Sequence, residues 1–79
     1  MTIEQMKEIG TRAAAICGAK LYGGPTLKNG VWTVGFRQYK EVTALEVGFS
    51  DREVANDSEL LKAEIDLERT MRGGILMST

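Results

Sequence analysis

The hydrophobic positions of this chain keep a helical period at its start, a period of two in its middle, and an ambiguous pattern towards its end. Ile3, Met6, Ile9, Ala13, Ile16 and Cys17 recur at spacings of three and four, so they share one helical face. Thr2 followed by Gln5 is a capping-box pair, and Glu4 puts a negative charge in the first turn, where the helix dipole favours it. The spacing predicts a helix over about residues 3–17, or on to 19, with Gly18 as a natural terminator. Gly10, Ala13, Ala14 and Cys17 make its inner face small. Because Gly10 costs about 1 kcal/mol relative to alanine in a helix, a close approach of backbone is the physical reason to expect there.

The middle stretch, residues 31–50, organises the rest. Trp32, Val34 and Phe36 alternate with Thr33, Gly35 and Arg37; Leu45, Val47 and Phe49 alternate with Ala44, Glu46 and Gly48. Alternation rich in β-branched and aromatic residues marks strands buried on one face. Two such strands around the polar Tyr39-Lys40-Glu41 predict an antiparallel hairpin. Asn29-Gly30 predicts a further hairpin, because a type I′ turn needs positive φ at both central residues. Pairing Lys28 with Val31 then sets Leu27 opposite Trp32 and adds a short edge strand over about residues 26–28. That strand is able to reach back to Leu21 across a bulge at Gly23 and Gly24.

Ser50-Asp51-Arg52-Glu53 has the form of a second capping box and predicts a helical turn. Asn56, Asp57 and Ser58 are better caps than helix-interior residues, so either the helix bends there or a longer one starts near Ser58. Leu61, Ala63, Ile65 and Leu67 alternate as in a strand, yet Leu60, Ala63, Leu67 and Met71 lie at helical spacing. The strong helix formers in this stretch, with no valine or aromatic residue, decide for helix, ending at Gly73-Gly74. Its apolar residues form two stripes, Leu60/Ala63/Leu67/Met71 and Leu61/Ile65, with Glu64 and Glu68 between them. The apolar Ile75, Leu76 and Met77 then either fold back over the last turn or form a patch for a partner. The order helix, three antiparallel strands in a meander, helix implies a two-layer α+β domain over residues 1–79, with both helices on one sheet face.

At 79 residues the chain is one small domain, and a chain this short buries only about 60–65% of the surface its unfolded form exposes. One cysteine and no histidine leave no internal disulfide, no Ser-His-Asp or Cys-His pair and no structural zinc site. Cys17 lies on an apolar stripe, where a thiol packs rather than reacts. The glycines match no phosphate-binding spacing, and Glu64 with Glu68 lacks a third metal ligand at a recognisable spacing. These absences point away from an enzyme and name no cofactor or metal. The single thiol, and a beginning without the basic-then-apolar layout of a signal peptide, suit a cytoplasmic protein, and no apolar run reaches the ~20 residues of a membrane span.

Charge changes the picture more than composition does. The net charge is −1, but residues 51–68 hold seven acids against Arg52 and Lys62, a balance of −5. Asp51, Glu53, Asp57, Glu59, Glu64, Asp66 and Glu68 are therefore candidates for a partner-binding acidic face, against the plainer reading of a solvated helix. Such a face suits a basic protein surface, including one that a partner uses for nucleic acid. In size, acidity and lack of motifs the chain is similar to phage-encoded inhibitors of host defence, anti-CRISPR proteins among them. That analogy of class implies a protein-binding inhibitor.

The helix–three strands–helix order resembles the layout of the double-stranded-RNA-binding domain, and of three-stranded DNA-binding arms in recombinases. Where the RNA-binding domain has a basic cluster opening its second helix, this chain has Asp51, Glu53, Asp57 and Glu59, which repel phosphate. That weighs against direct nucleic-acid binding. The outer sheet face still offers Arg37, Lys28 and Thr33, with Tyr39 and Lys40 nearby, opposed by Glu41 and Glu46. A third expectation is a homodimer, joined through the edge strand over about residues 26–28 or through the Ile75-Leu76-Met77 tail.

Overall fold

The computed structural model describes residues 1–78, with side chains through Leu76. Six elements follow in order: α1 (Ile3–Ile16), β1 (Ala19–Leu21), β2 (Thr26–Lys28), β3 (Val31–Gln38), β4 (Leu45–Ser50) and α2 (Asp57–Ser78). The fold is α+β, two helices on an antiparallel sheet.

The capping box of α1 forms in both directions. The Gln5 amide donates to Thr2 Oγ1 at 3.1 Å, and the Thr2 amide donates to Gln5 Oε1 at 2.9 Å. The helix stops at Ile16, and Gly18 follows with φ +69°. Gly10 does what its position on the small face requires. It is buried, and a Cβ there would lie 3.1 Å from Leu21 Cδ1, so its absence lets α1 lie close on β1.

β3 is the centre of the sheet. One of its edges takes β4 over its length, pairing Trp32 with Phe49 and Phe36 with Leu45. The other edge takes β1 and β2 end to end. The three expected strands are thus present, with the edge strand split into β1 and β2, so the sheet has four strands. From Leu21 to Thr26 the edge strand uses five residue steps, while its partners Phe36 to Thr33 use three. Two extra residues bulge out at Gly23, Gly24 and Pro25. Asn29 (φ 53°) and Gly30 (φ 75°) make the tight turn, and Leu27 pairs with Trp32 as the turn dictates. Leu27 nonetheless stays 47% exposed, because it shares the core side of the sheet at an edge the helices do not cover. The second hairpin strand begins only at Leu45; Val42, expected within it, lies in the loop.

The core is one cluster. α1 contributes Met6, Ile9 and Ala13, the sheet Trp32, Val34, Phe36 and Phe49, and α2 Ala63, Leu67 and Met71. Both helices therefore cover one face of the sheet.

The region around α2 departs from the sequence expectations in two ways and decides a third point that they left open. Residues 51–55 form no helical turn. The Asp51 carboxylate that would have capped one instead accepts from Trp32 Nε1 at 2.9 Å and from the N-terminal amine at 2.8 Å. The helix starts from Asn56, whose Oδ1 accepts from the Glu59 amide at 2.9 Å, while Glu59 Oε2 accepts from the Ala55 amide at 2.7 Å. Second, α2 runs through Gly73 and Gly74 instead of ending there. A Cβ on Gly74 would sit 3.0 Å from Val47 Cγ1, so the missing side chain lets the helix lie down on β4 and continue. Ile75 packs against the core from that extra turn, which settles the tail as helix; for Met77 only the backbone is described. Third, of the two apolar stripes only Leu60/Ala63/Leu67/Met71 packs inward, whereas Leu61 and Ile65 are exposed.

Candidate functional site

The seven acids singled out by charge do not form one free face. Glu64 is buried at 8% exposure and takes an ion pair from Arg12 Nε across the helix–helix seam, with Glu8 on the same guanidinium at 2.8 Å. Those two carboxylates raise the Arg12 pKa, Glu64 more than Glu8. Asp66 accepts from Arg52 at 2.7 Å, and this bond holds its carboxyl below the usual range. Glu68 pairs with Arg72 one turn on at 2.8 Å, as i,i+4 spacing favours. Asp51 is held below its usual pKa first by the N-terminal amine and then by the Trp32 indole. Glu59 serves the start of α2. Glu53 and Asp57 are left exposed, with no hydrogen bond or ion pair among the described residues. Most of the acidic signal is thus spent inside the molecule, tying α1, the 51–55 segment and α2 together.

Cys17 is half-buried at the end of α1, its Sγ 3.9 Å from the Glu68 carbonyl oxygen, and burial pushes its thiol pKa up. A raised pKa keeps a thiol protonated and a poor nucleophile. Among the described residues, no three of Cys, Asp and Glu gather as a metal site. No helix there is long and apolar enough to cross a membrane.

Among the described residues, no helix lies on the other face of the sheet. The alternation that turns Trp32, Val34 and Phe36 inward turns Val31, Thr33, Gly35 and Arg37 outward. The registers complete the layout. Lys20 lies beside Arg37, Thr26 beside Thr33 and Lys28 beside Val31 on one side, with Glu46 beside Gly35 and Gly48 beside Thr33 on the other. The Tyr22 amide donates to the Gly35 carbonyl at 2.8 Å, which sets Tyr22 in line with Lys20 on this face.

Arg37 stands 5.6 Å from the centroid of the Tyr22 ring, and Lys20 stands 5.9 Å from that of Tyr39. Both tyrosines are more than half exposed. Among the described residues Lys20, Lys28 and Arg37 form no ion pair, although Glu46 lies on the same face and Glu41 lines the hollow at the Lys20 end. The floor between them is low, because Gly35 and Gly48 carry no side chain. A Cβ on Gly35 would lie 2.8 Å from the Tyr22 carbonyl oxygen. At about 3.3 Å per residue, Arg37 and Val31 are about 20 Å apart along β3. A shallow hollow of about 340 Å³, lined by Gly18, Gln38, Tyr39, Lys40 and Glu41, adjoins the Lys20 end.

Sequence reasoning placed Arg37, Lys28, Thr33 and Tyr39 here but missed Lys20 and Tyr22. Their signal was the alternation of Ala19 and Leu21 with Lys20 and Tyr22. The bulge hid it, since the two extra residues shift the edge register and conceal that Lys20 stands beside Arg37.

Comparison of the chain with protein-family models, with curated proteins and with solved structures finds no match.

Proposed function

We propose that this protein is a non-catalytic binding module whose open sheet face takes single-stranded nucleic acid. The observation that carries the reading is the pair of exposed tyrosines, each beside a cation that no carboxylate neutralises, on a sheet face with no helix over it. Aromatic rings give bases a stacking surface worth about 1–3 kcal/mol per base, and the cations neutralise phosphates along the track. The ~20 Å between the Lys20/Arg37 end and Lys28 suits about three nucleotides. Of the acids that argued against phosphate from sequence, Asp51 is taken by the N-terminal amine and by Trp32 from the covered face, Glu59 accepts from the Ala55 amide, and Glu53 and Asp57 stay unpaired among the described residues, where the chain leads into α2. A cytoplasmic setting belongs to this reading.

Fluorescence anisotropy with labelled single-stranded DNA and RNA at low salt tests it. Binding should fall with salt at a log–log slope of about −2, the value for three phosphates on a single strand. Arg37→Glu with Lys20→Glu should abolish it while the circular dichroism spectrum stays unchanged. No binding at low salt, or full binding by the charge-reversed variant, would defeat the proposal.

A second reading keeps the acidic partner surface in reduced form. Glu53 and Asp57, unpaired and exposed beside the start of α2, are available to a basic protein surface, as an inhibitor would use them. Reversing both charges should then abolish capture of that protein, whereas Arg37→Glu should not.

A further inference from the structure

The two edges of the sheet are built differently. The β1/β2 edge is short and interrupted. It carries Lys20 and Lys28 and breaks at Gly23, Gly24 and Pro25, all devices that discourage another strand from pairing. The β4 edge has none of these. It runs six residues, Leu-Glu-Val-Gly-Phe-Ser, without proline, lysine or bulge.

The phase of the ladder shows which groups it offers. The Asp51 amide donates to the Gly30 carbonyl at 2.8 Å, continuing the register that pairs Val31 with Ser50. Hydrogen-bonded pairs alternate in an antiparallel ladder, so Phe49, Val47 and Leu45 bond to β3. The N–H and C=O groups of Glu46, Gly48 and Ser50 therefore point away from β3, along the outer edge. Among the described residues, no backbone bond outside the β3–β4 ladder involves these three.

We infer that this edge pairs with β4 of a second copy of the chain, antiparallel about a two-fold axis at Gly48. The occupant follows from self-complementarity. In that register Gly48 faces Gly48 and Glu46 faces Ser50 of the second copy. All three residues then present their free backbone groups to groups of the same phase. No like charges stand opposite each other, and the Ser50 hydroxyl is placed to donate to the Glu46 carboxylate. A two-fold contact uses one patch twice, as C2 dimers do. The result is one continuous sheet whose two open faces join side by side. Strands of six residues bury little area against the roughly 1,200–2,000 Å² of a standard interface, so the dimer is a weak one, formed at high concentration.

Sedimentation of the whole chain without nucleic acid, from roughly 10 µM to 1 mM, tests this apart from the function proposed above. The mass should rise from 8.7 kDa towards twice that value. Hydrogen exchange should slow with concentration at the Glu46, Gly48 and Ser50 amides but not at Leu45, Val47 and Phe49, which β3 already holds. Gly48→Lys should remain folded, since a Cβ there meets only Val31 Cγ1 at an ordinary 3.5 Å. It should stay monomeric, because it sets two ammonium groups face to face. A monomer at every concentration overturns the inference. So does a dimer that survives Gly48→Lys with those three amides exchanging at the monomer rate, which would place the contact elsewhere.

Discussion

The two faces of the sheet come from one alternating sequence and do opposite work. On the covered face Val34 and Phe36 are fully buried and Trp32 nearly so, closed over by Met6 and Ile9 of α1 and by Leu67 and Met71 of α2. On the open face Tyr22, Arg37, Lys20 and Lys28 stand in solvent, and the strand beneath them is held by backbone bonds and by the packing on its other side. Stability therefore comes from one set of alternate residues, and the other set is left in solvent, available for the binding proposed above.

The largest effect should come from emptying the covered face. Phe36→Ala removes the biggest fully buried side chain and should cost about 3–5 kcal/mol, a large fraction of the stability of a small domain. Urea denaturation measures it, and a loss below about 1 kcal/mol would show that the two faces do not divide the labour this way.

The comparison should break at one place on the open face. Gly35 looks substitutable from solvent, but a Cβ there would lie 2.8 Å from the Tyr22 carbonyl oxygen, which is backbone and cannot swing aside. Gly35→Ala should therefore destabilise the fold by about 1–3 kcal/mol, the range for overpacking, and should loosen the β1 edge. Hydrogen exchange at Tyr22, whose amide bonds to Gly35, reads that loosening directly.

Smaller still is an acid-side effect on the helix side of the molecule. The N-terminal amine with the Trp32 indole holds Asp51 below its usual pKa, and Arg52 does the same for Asp66. Near pH 4 the unfolded chain takes up these protons, while the folded chain does so only at lower pH. Their contribution is thus present above the ordinary carboxylate range and is lost as pH falls through the depressed folded values. Asp66→Asn should flatten part of the fall in urea midpoint below about pH 4.

The smallest effect on stability belongs to the open-face charges. Arg37→Glu should change folding free energy by no more than about 0.5 kcal/mol, the usual range for a surface substitution, while abolishing the proposed nucleic-acid binding together with Lys20→Glu. A large loss of stability from Arg37→Glu would mean that its stack on Tyr22 holds the edge strand.

Periodicity and turn chemistry alone determined the α+β order, the capping box at Thr2, the tight turn at Asn29-Gly30 and the inward set Trp32, Val34, Phe36 and Phe49. Each depends on residues a few positions apart, so each is written locally. What tertiary structure decided lies between residues far apart in the chain. Asp51 gives up capping because Trp32 and the N-terminal amine compete for its carboxylate. Gly74 continues a helix instead of ending it because Val47 lies beneath it. The acidic run, the strongest compositional signal, turns largely into ion pairs because Arg12 and Arg52 are brought to Glu64 and Asp66 from elsewhere in the chain. The open face assembled from Lys20, Tyr22 and Arg37 exists only once the bulged edge strand has found its register. Charge along a chain counts residues, whereas charge on a surface depends on which of them have already found partners.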